Sequence, residues 1–188
     1  PSWEMVELGE VFENIKDTVL PSSMRENLVN YIGLENISKG TGTIEGDISQ
    51  DPSSIKSNKS VFKIGDILYG KLRPNLNKVL NVGFEGICST DILVLRAMDN
   101  ADPAFYQAIL MSDKFNVEVL NGITGAQLPR VNFDHISKIK ISLPSIETQK
   151  EIVYKIEEER KVIEGNKKLI EIYTQKIQNR INKVWGEE

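Results

Sequence analysis

The chain has 188 residues, 40% of them hydrophobic and 27% charged, with a net charge of −4. That is enough apolar material for one domain with a proper core plus an appendage; no run approaches the ~18 apolar residues of a membrane span, and no signal-peptide pattern opens the chain. Cys88 is the only cysteine and His135 the only histidine, so an internal disulfide is excluded, a four-ligand structural zinc site nearly so, and a reducing cytoplasm is the simplest compartment.

The charge is unevenly placed. Residues 1–144 hold 14 Lys+Arg against 18 Asp+Glu, and residues 145–188 hold 9 of each. A bulk electrostatic hold on DNA or membrane is not supported, so a nucleic-acid role must rest on local clusters. Residues 63–78 form one: Lys63, Lys71, Arg73 and Lys78 stand against Asp66 alone.

Taken in order, residues 1–144 show short apolar runs broken by Gly, Pro, Asn and Ser. "NLVNYIGL" reads as a strand. "SKGTGTIEGDISQDPSSIKSNKS" is polar and Gly/Ser-rich, so it reads as loop and turn with at most one weak strand. "SVFKIGDILYG" and "GFEGICSTDILVLRA" read as strands, and the continuous apolar run Ile92–Leu95 fits a strand covered on both faces. "DPAFYQAILMSDKF" reads as one helix, capped by Asp102 with Pro103 at its first position. Its expected buried face is Phe105, Ile109 and Ala108. "ISKIKISLP" is the last strand. The mixture predicts an α+β domain over residues 1–144, built on a twisted, mixed or mostly antiparallel sheet.

After Pro144 the character changes. From Ser145 to about Trp185 there is no proline and a single glycine, Gly165. Ser145 or Thr148 can cap a helix here, and Thr148 with Glu151 fits a capping box. Ile156, Ile163, Ile170, Ile177 and Val184 recur every seven residues as the a positions of a coiled-coil-type helix, with Tyr173 among the more polar d positions. A helix spanning 145–188 exceeds a small domain's diameter and needs a partner helix to cover its seam. A break at Glu164–Asn166 is the alternative, and a kink beside Gly165 is favoured over a register-fixing role for Asn166.

Several chemistries are missing. There is no GxxxxGK[ST] phosphate loop and no GxGxxG turn. The glycine-rich methyl-donor loop and the Asn/Asp-Pro-Pro-aromatic motif of an adenine methyltransferase are absent too. His135, in "NFDHISK", has no identifiable nucleophile beside it and reads as a surface or helix-start residue. Asp66 with Lys71 can be forced into a nuclease role, but Asp66 follows Gly65 in a turn before a strand, which explains it better. Cys88 reads as a small buried hydrophobe. The chain is expected to do no chemistry by itself.

The candidate site is "YGKLRPNLNK". Leu72, Leu76 and Val79 can anchor this hook apolar side down, leaving Lys71, Arg73, Asn75, Asn77 and Lys78 to project. Arg can read guanine and Asn adenine through paired hydrogen bonds, and Lys suits phosphate. The same composition fits a solvated turn between strands equally well. A second candidate, "GITGAQLPRVN", carries Gln127 and Arg130 around a proline; it reads equally as a plain connection before the last strand.

The pieces occur in an order that resembles the specificity subunit of type I restriction-modification systems. "WEMVELGEV", "YIGLENI" with "GTI", "FKIGDILYGKLRPNLNKVL", "GICSTDILVLRA", "ITGAQLPRVNFDHISKIKISLPSIETQKEIV", the long helix and a terminal "VWG" resemble that family's successive blocks. Single motifs are loose; their ordered series is specific and spans essentially the whole chain. The resemblance implies a DNA target-recognition domain followed by a conserved helix. In a full subunit there are two of each. Their helices pair antiparallel and dock modification subunits, and each domain reads half of a split site. With one domain and one helix, this sequence is expected to be a half-subunit that dimerises, an excised fragment, or the carboxy-terminal specificity part of a fused methylase. The missing initiator methionine and the "VWGEE" ending favour the last two. The resemblance implies no cofactor on this chain, with S-adenosylmethionine on the partner, and double-stranded DNA as ligand. The rival function is a protein-interaction adaptor that assembles through the helix.

Overall fold

The apolar run that begins at Ile92 becomes the inner strand of a sheet. In the computed structural model, which describes residues 3–121 and 129–186, β10 (Ile92–Ala97) pairs antiparallel with β2 (Phe12–Ile15) on one side and β7 (Ile67–Gly70) on the other. β8 (Val79–Asn81) extends this sheet beyond β7. All four residues of β7 and the first four of β10 are buried, as continuous apolar strands require when both faces are covered.

A second sheet has five strands. β3 (Thr18–Val19), β6 (Lys59–Phe62), β9 (Gly86–Cys88), β4 (Val29–Ile32) and β5 (Ser49–Gln50) lie in that order. β4 and β9 run parallel and the other pairs antiparallel. The polar stretch between β4 and β6 is loop with the one short strand β5, as its composition implied. A third pairing joins β1 (Glu4–Glu7) to β11 (Lys140–Leu143). The architecture is α+β with mixed sheets, as the pattern of elements predicts.

The core draws on both larger sheets. Ile32, Phe62 and Cys88 from one meet Leu68, Leu80, Ile92 and Val94 from the other, with Ile37 and Val82 beside them. Each such side chain, taken fully out of water, contributes on the order of 2 kcal/mol. Aromatic edge contacts tie further elements to the four-stranded sheet. Phe12 meets Tyr106 with ring centroids 5.4 Å apart, and Tyr69 meets Phe115 at 6.4 Å.

Residues 102–115 differ from the single helix expected. Asp102 Oδ1 accepts from the Ala104 and Phe105 amides and Pro103 is the first helical residue. The helix α1 (Pro103–Leu110) then stops. Ser112 caps a second helix, α2 (Asp113–Leu120), by accepting from the Phe115 amide. A capping serine at the break satisfies a helix-end donor and permits the turn. The buried face also shifts: Phe105, Tyr106, Gln107 and Leu110 are buried, whereas Ala108 and Ile109 are half-buried. Gln107 is tolerated inside because its amide donates to the Gly42 and Val79 carbonyls. A short helix, α3 (Phe133–Ile136), follows, capped by Asn132 Oδ1.

The last element is one helix, α4 (Ile146–Val184), 39 residues and about 58 Å long. Ser145 is its cap, its Oγ accepting from the Thr148 amide; Thr148 lies inside the first turn. The helix runs unbroken through Gly165 and Asn166, so the chain does not break into two helices there. One glycine costs a helix about 1 kcal/mol, too little to interrupt one this long. The chain divides into two compact units, Pro1–Gln149 and Lys150–Glu188.

Candidate nucleic-acid interface

Leaving β7 at Gly70, the chain is gripped at every step. The Lys71 amide donates to the Asp91 carbonyl at 3.0 Å, and the Lys71 carbonyl accepts from the Val131 amide at 2.9 Å. Leu72 bridges to Arg130, and the Arg73 amide donates to the Pro129 carbonyl at 2.8 Å. Arg73 is left-handed (φ 52°, ψ 61°), a single 3-10 turn covers Pro74–Leu76, and Asn77 is left-handed again (φ 49°, ψ 54°). That conformation costs a residue with a Cβ roughly 1–2 kcal/mol. It persists where surrounding bonds over-determine it, and such positions cluster at functional sites.

The bonds that hold it are specific. Asn77 donates its side-chain amide to the Met111 carbonyl at 2.6 Å, and its own carbonyl accepts from the Gly40 amide. Lys78 donates its ammonium to the Leu34 carbonyl at 2.6 Å, while its carbonyl accepts from the Gly70 amide. On the apolar side Leu72 and Leu76 are half-buried, and Val79 is fully buried. The hook is thus a fixed shape rather than a loose turn.

This sorts the expected site residues. Arg73 and Asn75 are exposed. Lys71 is half-buried beside Arg130. Asn77 and Lys78 are half-buried, with the amide of one and the ammonium of the other spent on backbone carbonyls of the domain. Arg130 joins the same region through the Leu72 bridge, and its Nη2 forms an ion pair with Asp91 Oδ1 at 2.9 Å. Gln127 lies outside the described residues. Asp91 was not marked by the sequence; its partner is 39 positions away, and no local pattern announces the pairing.

The remaining sequence candidates have structural explanations. Asp66 is buried and accepts from Arg96 and from the Lys63 amide. The His135 ring Nε2 lies 3.0 Å from the Val119 carbonyl. Cys88 is fully buried in β9, and burial pushes its thiol up to about 12. Among the described residues no group of three or more His, Cys, Asp and Glu is placed to hold a metal ion, and no helix is long and apolar enough to cross a membrane.

On α4, Ile156 is half-buried, while Ile163, Ile170, Tyr173, Ile177 and Val184 are all exposed, Val184 at 85%. Val162, Leu169 and Ile181 widen the exposed apolar stripe.

Comparison with known proteins fits this arrangement. Residues 2–175 match the family model described as the type I restriction modification DNA specificity domain. The specificity subunit of the type I restriction enzyme EcoDI from Escherichia coli is 28% identical over 128 residues, covering 68% of this chain and 28% of that protein. The corresponding HindI subunit from Haemophilus influenzae is 25% identical over 161 residues, covering 80% and 34%. The crystal structure of the HsdS subunit from Thermoanaerobacter tengcongensis superposes with a TM-score of 0.76 at 25% identity, over 90% of this chain and 45% of that one. A chain from a structure of type I R-M complex assembly and conformational transition gives 0.77 at 26%, with the same coverage. The chain therefore spans under half the length of these relatives, and both curated ones are named as specificity subunits. With a family match over nearly all its residues, the chain belongs to the type I restriction-modification DNA specificity domain family.

Proposed function

We propose that this chain is a sequence-specific reader of double-stranded DNA, without catalysis of its own, that directs adenine methylation and cleavage by partner subunits. Residues 1–144 act as the target-recognition domain, and residues 145–188 as the helix for assembly. The observation that carries the reading is the hook, which is clamped at Lys71, Arg73, Asn77 and Lys78 while Arg73 and Asn75 stay exposed. Binding groups held on a rigid support lose little entropy on engaging a ligand. Lys71 and Arg130 flank them as phosphate-seeking cations. Asn77 and Lys78 serve this reading as supports, and Gln127 as a further contact.

The methyl donor, S-adenosylmethionine, belongs to a modification subunit or domain that the helix docks. The exposed seam Ile163–Ile170–Ile177 also suits an antiparallel pair of such helices in a homodimer, which would set two readers apart. The same stripe favours the rival reading, an adaptor that only assembles proteins.

Selection of bound duplexes from a random pool tests the proposal. A recovered consensus, with Arg73→Ala weakening the consensus duplex by about 1–3 kcal/mol, supports it. No enrichment, with Ile170→Lys and Ile177→Lys still abolishing a partner or dimer contact, leaves the adaptor.

A further inference from the structure

A groove of about 420 Å³ lies alongside the start of the hook. Its polar lining is Asn14 on β2, Lys16 just past that strand's end, and Lys71, Arg130, Asn132 and Asp134. Lys16 is exposed and Arg130 is 57% exposed, so both cations are within reach of solvent ligands. Asn132 uses its side-chain oxygen on the His135 amide, which leaves its NH2 donors to other partners. Among the described residues, Lys16, Lys71 and Arg130 therefore line the groove against the single carboxylate Asp134, in a chain whose net charge is −4.

The ion pair between Arg130 and Asp91 bears on what the groove takes. Asp91 is one-third exposed, so the pair sits at the surface, where water and salt leave an ion pair weak. A phosphodiester oxygen accepts the same charge-assisted hydrogen bond as a carboxylate oxygen. Arg130 can thus exchange one for the other at little cost. Until it does, Asp91 cancels its charge and repels a backbone phosphate.

We propose that this groove is a phosphodiester-binding site of the DNA backbone, with Lys16 as a cation contributed from outside the hook. Arg130 leaves Asp91 for a phosphate oxygen on binding. Asp91 accordingly weakens backbone capture of any duplex, leaving base contacts to decide which DNA is held. The inference rests on the DNA-reading function above and assigns a second place on the same surface.

The test uses the full chain, fluorescence anisotropy, a random-sequence duplex and the selected consensus duplex, over a salt series from 50 to 200 mM. Lys16→Ala is expected to weaken both duplexes alike and to reduce the salt slope by about one, which is about threefold in affinity across that range. Asp91→Asn should act in the opposite direction. It should tighten both duplexes alike and steepen the slope. An unchanged slope in Lys16→Ala, or an Asp91→Asn variant that binds both duplexes no better than wild type, overturns the groove assignment. If Arg73→Ala still weakens the consensus in that case, the DNA-reading function stands and only the groove fails. Wild type that binds neither duplex overturns both. Unchanged thermal unfolding of Lys16→Ala and Asp91→Asn shows that the shifts are not losses of fold.

Discussion

Arg96 meets Asp66 edge to edge: Nε donates to Oδ1 and Nη2 to Oδ2, each at 2.8 Å. Asp66 is only 1% exposed and its Oδ2 also accepts from the Lys63 amide, so one carboxylate ties β10 to the turn that starts β7. Gly65, at φ +85°, supplies the left-handed step that places it there. Removing one partner of a buried pair leaves an uncompensated charge or orphaned donors, typically at 3–5 kcal/mol. Arg96 is one-third exposed and water can take over part of its hydration. Asp66→Ala is therefore expected to cost about 3 kcal/mol in urea unfolding, near the low end of that range. A loss under about 1 kcal/mol would show that the pair does not hold the turn.

The strands on either side of that turn could be read from the sequence because their cause is local. Ile67–Tyr69 and Ile92–Leu95 are apolar without interruption, and a strand buried on both faces needs little else. The cap at Asp102 is legible for the same reason, whereas the sequence leaves the cap of α4 open between Ser145 and Thr148, and the structure settles it on Ser145. Ser112 was legible in principle, since a serine before an aspartate inside an apolar run is a start signal; the apolar periodicity of "AFYQAILM" outweighed it. The hook was different. Its composition pointed to a polar cluster, but the inward turn of Asn77 and Lys78 depends on Met111 and Leu34, 34 and 44 residues away. Distant carbonyls leave no trace in local pattern. The same holds for Asp91 and Arg130, and for Gln149, whose buried amide satisfies Asn100, Asp102 and Pro144 backbone groups at the start of α4.

Asn77 provides a test of the hook as a supported shape. Its left-handed backbone suits Asn and Gly but not Ala, and its amide bond to Met111 is lost in either replacement. Asn77→Gly should cost about 1 kcal/mol, the worth of one hydrogen bond. Asn77→Ala should cost about 2 kcal/mol, since Ala keeps a Cβ in the left-handed region but lacks the local side-chain bonding by which Asn tolerates it. Chemical unfolding of the pair measures the difference. Equal losses would mean that the backbone conformation at this position carries no strain.

Gly86 marks a place where the five-stranded sheet leaves no room for a side chain. It lies on β9, between β6 and β4. A Cβ there would run into the Asn30 carbonyl and come within 2.8 Å of the Phe62 ring. Neither neighbour yields easily, since one is backbone and the other is a fully buried core ring. Gly86→Ala should destabilise by about 1–3 kcal/mol, as overpacked sites do. Gly83→Ala, which meets nothing within 4 Å, is the matched control and should be close to neutral.

Cys88 links burial to pH. Burial, with the Asp66 charge adding to it, pushes the thiol up to about 12, whereas an unfolded cysteine titrates near 8.5. The folded state thus holds the proton more tightly. The stabilisation is full below about pH 8.5 and is lost progressively as pH rises toward 12. The thiolate is the reactive species, so at pH 8 the native thiol should react with iodoacetamide on the order of a thousandfold more slowly than the unfolded one. Alkylation followed by mass measurement, with and without concentrated guanidinium, gives both rates. Fast native alkylation would mean that the core around Ile32, Phe62 and Val94 opens far more readily than its full burial implies.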